Sequence, residues 1–277
     1  RNFGNKIWNA YRLINGWQVD ASLAQSDCSK QAVAWFTNRF NAALAEIEEN
    51  FKNYRISEAL MVAYKLFWDD FSGWYLEMIK PAYGSPCDAA TMAATKKMFE
   101  QLMLLLHPFM PFVTEEIWQD LAERKEGESI CVASMPKAES ADEVALARFA
   151  LVQEVVSAVR NIRKQKNLPQ KEALELKVVR DENYPAEFEA VIVKMANLSA
   201  VTFVTEKNPM DAAFIVKTTQ YFVPMGDNID KEAEIAKLEK DLAYQQGFLA
   251  TVMKKLSNER FVSSAPAQVV ANEQNKK

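Results

Sequence analysis

Glycine is scarce, seven in 277 residues, and none of it forms a glycine-rich loop of the kind that cradles phosphate. A self-contained nucleotide-binding domain is therefore not expected. Histidine is scarcer still: His107, wedged before Pro108, is the only one, and its place suits a structural residue at the end of an element. The three cysteines, Cys28, Cys87 and Cys131, lie far apart with no C-x-x-C pair. They read as reduced, isolated thiols of a cytoplasmic chain, neither a disulfide frame nor a zinc site. No apolar run reaches the roughly 18 residues of a membrane span, and the N-terminus has no signal-peptide pattern. Adjacent carboxylates occur at Asp69-Asp70 and Glu115-Glu116. Neighbours along a helix point about 100° apart and do not converge on one proton, so these read as surface or capping acids. With no nucleophile beside a base and no metal-ligand cluster, neither a catalytic residue nor a metal site is assigned.

What is present is apolar content of 49%, 11% of the chain being aromatic, enough for a real core. The net charge of −4 means that any nucleic-acid contact must come from local basic patches. One such patch opens the chain. In RNFGNKIWNAYRLINGW, Phe3, Ile7, Tyr11 and Ile14 fall on one side at helical period and make a core face. Asn5, Asn9 and Arg12 form a stripe on the other side, with Asn2 and Lys6 in the next. Asparagine is a mediocre helix former, because its amide competes for backbone groups. Arg1, Lys6 and Arg12 meet no acid before Asp20. Amides that donate and accept, set among cations, suit nucleotide edges and phosphates.

A second helix is expected from Ser26 or Asp27, with the stripe Val33, Phe36, Phe40, Leu44, Ile47, Phe51. A third follows a turn near Asn53, its seam being Leu60, Tyr64, Phe67, Phe71, Trp74 and Met78, and Pro81 ends it. Ser85-Pro86-Cys87-Asp88 places an N-cap, a proline at the first helical position and an acid, which starts a fourth helix running to His107. PFVTEEIWQDLAER makes a short fifth. Residues 1 to about 126 are thus a helical bundle, followed through Pro136 by a polar turn and a short extended segment. From about Asp142 a long helix carries Phe149, Val152, Val156 and Val159 inward. Its far end, from Arg160 to Lys171, holds five cations and no acid, with Arg160, Arg163, Lys164 and Asn167 at i, i+3, i+4, i+7 and Lys166 beside them. Like charges on one face repel by a few tenths of a kcal/mol per pair, so an anionic partner is expected there.

Beyond Pro169, ALELKVV alternates as a strand, AEFEAVIVKMANL is a helix, and VTFVT, AFIVK and YFVPM are short β segments. This small α+β unit ends near Gly226. From Asn228 the residues Ile235, Leu238, Leu242, Gln245, Leu249, Val252 and Leu256 keep a heptad alternation, which calls for a partner helix. Over residues 230–258 the rod is about 45 Å long at 1.5 Å per residue, with an acidic root and a basic tip at Lys254, Lys255 and Arg260. A turn at residues 262–266 then starts AQVVANEQNKK, giving a truncated antiparallel coiled-coil arm. The opening at Arg1 and the short last helix lead us to expect a piece of something larger. The fold class is mainly α, in three parts: residues 1–136, 137–226 and 227–277.

Together these motifs are recognisable. RNFGNKIWNAYR, DDFSGWYLEMIKP and LLHPFMPFVTEEIWQ resemble signatures of the anticodon-binding helical bundle of class I aminoacyl-tRNA synthetases of the valine, leucine, isoleucine and methionine group. AVRNIRKQKNLP, IDKEAEIAKLEKDL and LSNERFVSSAPAQVV are similar to the C-terminal tRNA-binding arm of the valyl branch. The isoleucyl branch implies a terminal zinc-bearing cysteine cluster, which is missing. The resemblance implies a cytoplasmic, ATP- and Mg-dependent ligase that charges valine-specific tRNA. Its ATP signatures and editing domain are expected upstream, so this piece would hold no cofactor and would not aminoacylate. It further implies that Arg1, Asn2, Lys6, Asn9 and Arg12 face the anticodon stem-loop. Arg160, Arg163, Lys164, Lys166, Lys254, Lys255 and Arg260 would lie along the tRNA elbow, in a monomer whose cut arm helix can pair artefactually. The rival reading is a helical protein–protein adaptor that dimerises through the heptad helix.

Overall fold

The computed structural model describes residues 2–179, 181–205, 211–225 and 231–257, without the side chains of 231–238, 241 and 255. The protein is mainly helical, and contacts divide it into two compact units, Arg1–Pro224 and Met225–Lys277. The first unit runs α1 (Asn2–Asn15), β1 (Val19–Asp20), α2 (Asp27–Lys52), α3 (Ile56–Lys65), a π-helical stretch (Leu66–Tyr75), α4 (Leu76–Ile79) and β2 (Cys87–Asp88). It continues with α5 (Ala89–Leu106), α6 (Pro111–Leu121), a 3₁₀ turn (Ile130–Val132) and α7 (Glu143–Gln165). Then come β3 (Leu174–Val179), a 3₁₀ turn (Ala186–Phe188), α8 (Glu189–Ala196), β4 (Leu198–Phe203), β5 (Ala212–Val216) and β6 (Thr219–Val223). The second unit is described through α9 (Lys231–Leu256).

Local chemistry sets most helix starts. Ser26 caps α2 by accepting the Ser29 N–H at 3.1 Å, and Asp142 caps α7 by accepting the Ala145 N–H at 2.9 Å. The start of α5 departs from the sequence expectation. The Cys87 N–H donates to the Gln18 carbonyl, Cys87 and Asp88 pair in parallel with Val19 and Asp20, and Asp88, not Ser85, caps the helix by accepting the Thr91 N–H. Tertiary pairing claimed the residues that the local start signal wanted.

The third helix also differs. Between α3 and α4 it runs ten residues as π-helix, whose i→i+5 bonds widen the turn. The buried seam therefore passes through Phe67, Phe71 and Tyr75, all fully buried, while Trp74 is half-buried and Leu60 lies 37% exposed. Phe36, Phe71, Tyr75 and Phe99 gather there with ring centroids 5.1–5.6 Å apart at Phe36–Phe71, Phe36–Tyr75, Phe71–Tyr75 and Phe71–Phe99.

α7 joins the bundle to the sheet. Its Phe149 stacks on Trp35 of α2 at 4.1 Å and meets Phe188 edge-on at 5.3 Å. Phe149, Val152, Val156 and Val159 are fully buried, as their spacing predicts. The sheet order is β4-β3-β6-β5: β3 pairs in parallel with β4 across α8, and antiparallel with β6. The expected end of this part near Gly226 and the return helix after the 262–266 turn lie outside the described residues.

Candidate nucleic-acid interface

α1 is fixed from one side only. Ile7, Ala10, Tyr11 and Ile14 are buried, and Phe3 lies against Tyr64 at 4.7 Å and Phe67 at 5.7 Å. Tyr11 donates to Asp120 of α6, and burial first, then that carboxylate, pushes its hydroxyl up to about 12. It remains a proton donor and a fixed anchor. The opposite side carries Asn2, Asn9 and Arg12, all exposed, and their side chains have no hydrogen bond or ion pair among the described residues. Lys6 is half-buried, its ammonium 5.2 Å from the centre of the Trp68 ring, so part of its charge serves packing. Arg1 lies outside the described residues. The three outward groups together offer donors, acceptors and one exposed cation along about 15 Å of helix.

The basic end of α7 is arranged differently from the expected single cationic face. Arg163 is 1% exposed and turned inward. Its guanidinium donates to the carbonyls of Pro169 at 3.0 Å, Glu172 at 2.7 Å, Ala196 at 3.1 Å and Asn197 at 2.9 Å. Two of these end α8, whose last carbonyls have no helical partner, and the other two belong to the turn before β3. Arg163 is thus removed from the candidate phosphate contacts: its two terminal nitrogens are occupied and its charge is inside. Asn167 also leaves that face. Helix α7 stops at Gln165, Asn167 takes the left-handed conformation at φ +53°, and the Leu168 N–H returns to the Arg163 carbonyl at 2.9 Å. This is a helix C-terminal motif that asparagine tolerates.

Arg160 remains exposed but donates to the Met195 carbonyl at 3.1 Å and sits 5.9 Å from the Trp74 ring. Lys164 is exposed, and its ammonium has no described partner. Lys166 is half-buried. In the second unit Lys254 is exposed on α9, while the Lys255 side chain and Arg260 lie outside the described residues. On the expected heptad seam, Leu242 and Leu249 are exposed by 58% and 42%, Gln245 is exposed and Val252 is buried; the side chains of Ile235 and Leu238 are outside the described set.

The carboxylate pairs do not converge. Asp70 accepts from Arg39 at 2.8 Å while Asp69 is exposed, and Glu115 accepts from Gln119 and Ser129 while Glu116 is exposed. One feature escaped the sequence reading. Beyond the C-terminal end of α1, a cleft of about 440 Å³ is lined by Leu13, Trp17, Lys80 and Tyr83, and the Tyr83 ring is fully exposed beside Gly84 at φ +76°. An exposed aromatic next to a lysine is suited to stacking an unpaired base. The only signal in the sequence was an aromatic residue inside a Pro- and Gly-bearing turn that follows Lys80.

Residues 34–179 match the family model for the anticodon-binding domain of tRNA ligases, and residues 230–277 match that for the tRNA-binding arm of valyl-tRNA synthetase. The first match begins inside α2 and leaves α1 outside. The chain is 54% identical over its whole length to a valine–tRNA ligase of Parabacteroides distasonis and 52% to one of Phocaeicola vulgatus. It is 36% identical, over 98% of its length, to one of Listeria innocua. It spans 31–32% of the length of these relatives.

Proposed function

Because the chain belongs to the family of tRNA-ligase anticodon-binding domains, we propose that it is the tRNA-recognition portion of a valine–tRNA ligase. The parent reaction joins valine to its tRNA at the expense of ATP, with Mg, in the cytoplasm; that chemistry is assigned to the rest of the longer protein. The observation that carries the reading is the outward face of α1, where Asn2, Asn9 and Arg12 have no described partner on a helix anchored firmly behind. These residues, with Arg1 and Lys6, read the anticodon stem-loop by edge hydrogen bonds, and Tyr83 stacks an unpaired base. Arg160, Lys164 and Lys166 contact backbone phosphates nearer the elbow. Residues 227–277 form an antiparallel coiled-coil arm whose tip, at Lys254, Lys255 and Arg260, follows the tRNA backbone, and the protein acts as a monomer. Residues 1–136 hold the anticodon side, and 137–226 are the long helix with a small α+β domain.

Filter binding with a valine tRNA transcript and an anticodon-swapped transcript tests this directly. The valine transcript is expected to bind more tightly, with log K falling against log salt by roughly 0.7 to 0.9 per phosphate contacted. Neutralising Lys254 and Lys255 weakens both transcripts alike. Absence of binding even at low salt overturns the reading. The exposed Leu242, Tyr244, Phe248 and Leu249 of α9 favour one alternative, an adaptor that dimerises through this helix. Light scattering that shows a concentration-dependent mass, unchanged by tRNA, would select it.

A further inference from the structure

Three chemically different ligand groups converge at the junction of α5, α6 and the 3₁₀ turn that follows. His107 closes α5, Glu115 lies on α6, and Cys131 is the middle residue of the turn. The His107 Nε2 and Cys131 Sγ are 3.2 Å apart, and the donor atoms of all three side chains lie within 4.8 Å of one another. We propose that His107, Glu115 and Cys131 bind a zinc-class divalent ion, with water completing a four-coordinate site.

The surroundings orient each ligand. Thr114 Oγ1 donates to the Met110 carbonyl at 2.9 Å, so the 2.8 Å contact between this oxygen and His107 Nδ1 requires the ring nitrogen to carry the proton. The lone pair is then on Nε2, which faces Cys131. A hydroxyl behind a histidine ligand is the kind of outer contact that fixes ring and tautomer in metal sites. Ser129 ties the other two together: its hydroxyl donates to Glu115 Oε2 at 2.7 Å and accepts the Cys131 N–H at 3.1 Å. Gln119 donates to Glu115 Oε1 at 2.8 Å. With the Ile130 N–H also bonded to this carboxylate, three of its four lone-pair sites are used and one is left for an ion.

Nitrogen, sulfur and oxygen together select the metal class. Magnesium and calcium take oxygen donors, whereas a thiolate beside an imidazole suits zinc and its neighbours. On binding, the Cys131 thiol gives its proton to solvent and the sulfur electron pair forms the metal bond. Thiolate and carboxylate then balance the two positive charges, and the neutral imidazole leaves the site without net charge. Cys131 and Glu115 are open enough for an ion to enter, whereas Cys28 and Cys87 are buried elsewhere.

Cobalt(II) is the probe, added to the untagged chain, because thiolate ligation gives a near-ultraviolet charge-transfer band and tetrahedral geometry gives intense visible bands. The expected result is one equivalent bound with both signatures, bleached by zinc. Cys131→Ser is on the surface, so its fold is checked by circular dichroism. It is expected to abolish the charge-transfer band and to weaken zinc binding at least about tenfold, with Glu115→Gln weakening it without removing the band. No band with cobalt in excess, or a band that survives Cys131→Ser, overturns the proposal. Neither readout depends on tRNA, so this site and the proposed RNA interface fail or stand separately.

Discussion

The face of α1 and the end of α7 look alike in sequence: each gathers cations and amides at helical spacing with no acid close by. The fold treats them oppositely. α1 is held by Ile7, Tyr11 and Ile14 and leaves Asn9 and Arg12 in water. At the end of α7, a turn and a helix terminus bring four carbonyls together, and Arg163 is drawn inward to all of them. A cationic stretch is thus open to a partner only where the fold brings no cluster of carbonyls to it. Charge spacing alone cannot tell the two cases apart.

This contrast is best broken at Arg163. Arg163→Met removes four hydrogen bonds of a buried guanidinium, and a loss of about 3 kcal/mol is expected in urea denaturation. Arg163→Lys recovers only part of it, because one ammonium cannot span four acceptors. A stable Arg163→Met variant with weakened tRNA binding would instead return this residue to the interface. The mirror experiment is Arg12→Ala. Stability stays within about 0.5 kcal/mol, while the valine transcript loses about tenfold in affinity, or about 1.4 kcal/mol, and discrimination against the swapped anticodon falls. Lys164→Gln, the exposed neighbour of Arg163, should weaken both transcripts slightly and lower the salt slope by about 0.7 to 0.9 without changing the denaturation midpoint. The smallest effect is expected at Asn167→Gly. Glycine relieves the positive-φ residue, so stability holds or rises by about 0.5 kcal/mol, and tRNA affinity does not move.

Much of the framework was legible along the chain because its signals are local. The caps at Ser26 and Asp142, the fully buried stripe from Phe149 to Val159 and the order of strand, helix and strands after Pro169 depend on neighbours within a turn or two. The misreadings share another cause. Ser85 lost its capping role because β1 paired with Cys87 and Asp88, and Trp74 gave way to Tyr75 because the helix widened. Of the candidate interface, the α1 face was readable because amphipathicity says which side faces out. The inward turn of Arg163 was not, since its acceptors lie as far off as Asn197.

The sequence by itself determined that this chain is mainly helical, where the core faces of α1 and α7 run, and that cations gather in separate places on an acidic scaffold. Periodicity and capping act over a few residues, and charge is a sum. Only the tertiary structure decided which cations remain outside and which satisfy carbonyls. It also decided that His107, Glu115 and Cys131 meet, though they are remote in sequence. Both outcomes depend on which polar groups packing brings together, and no local pattern encodes that.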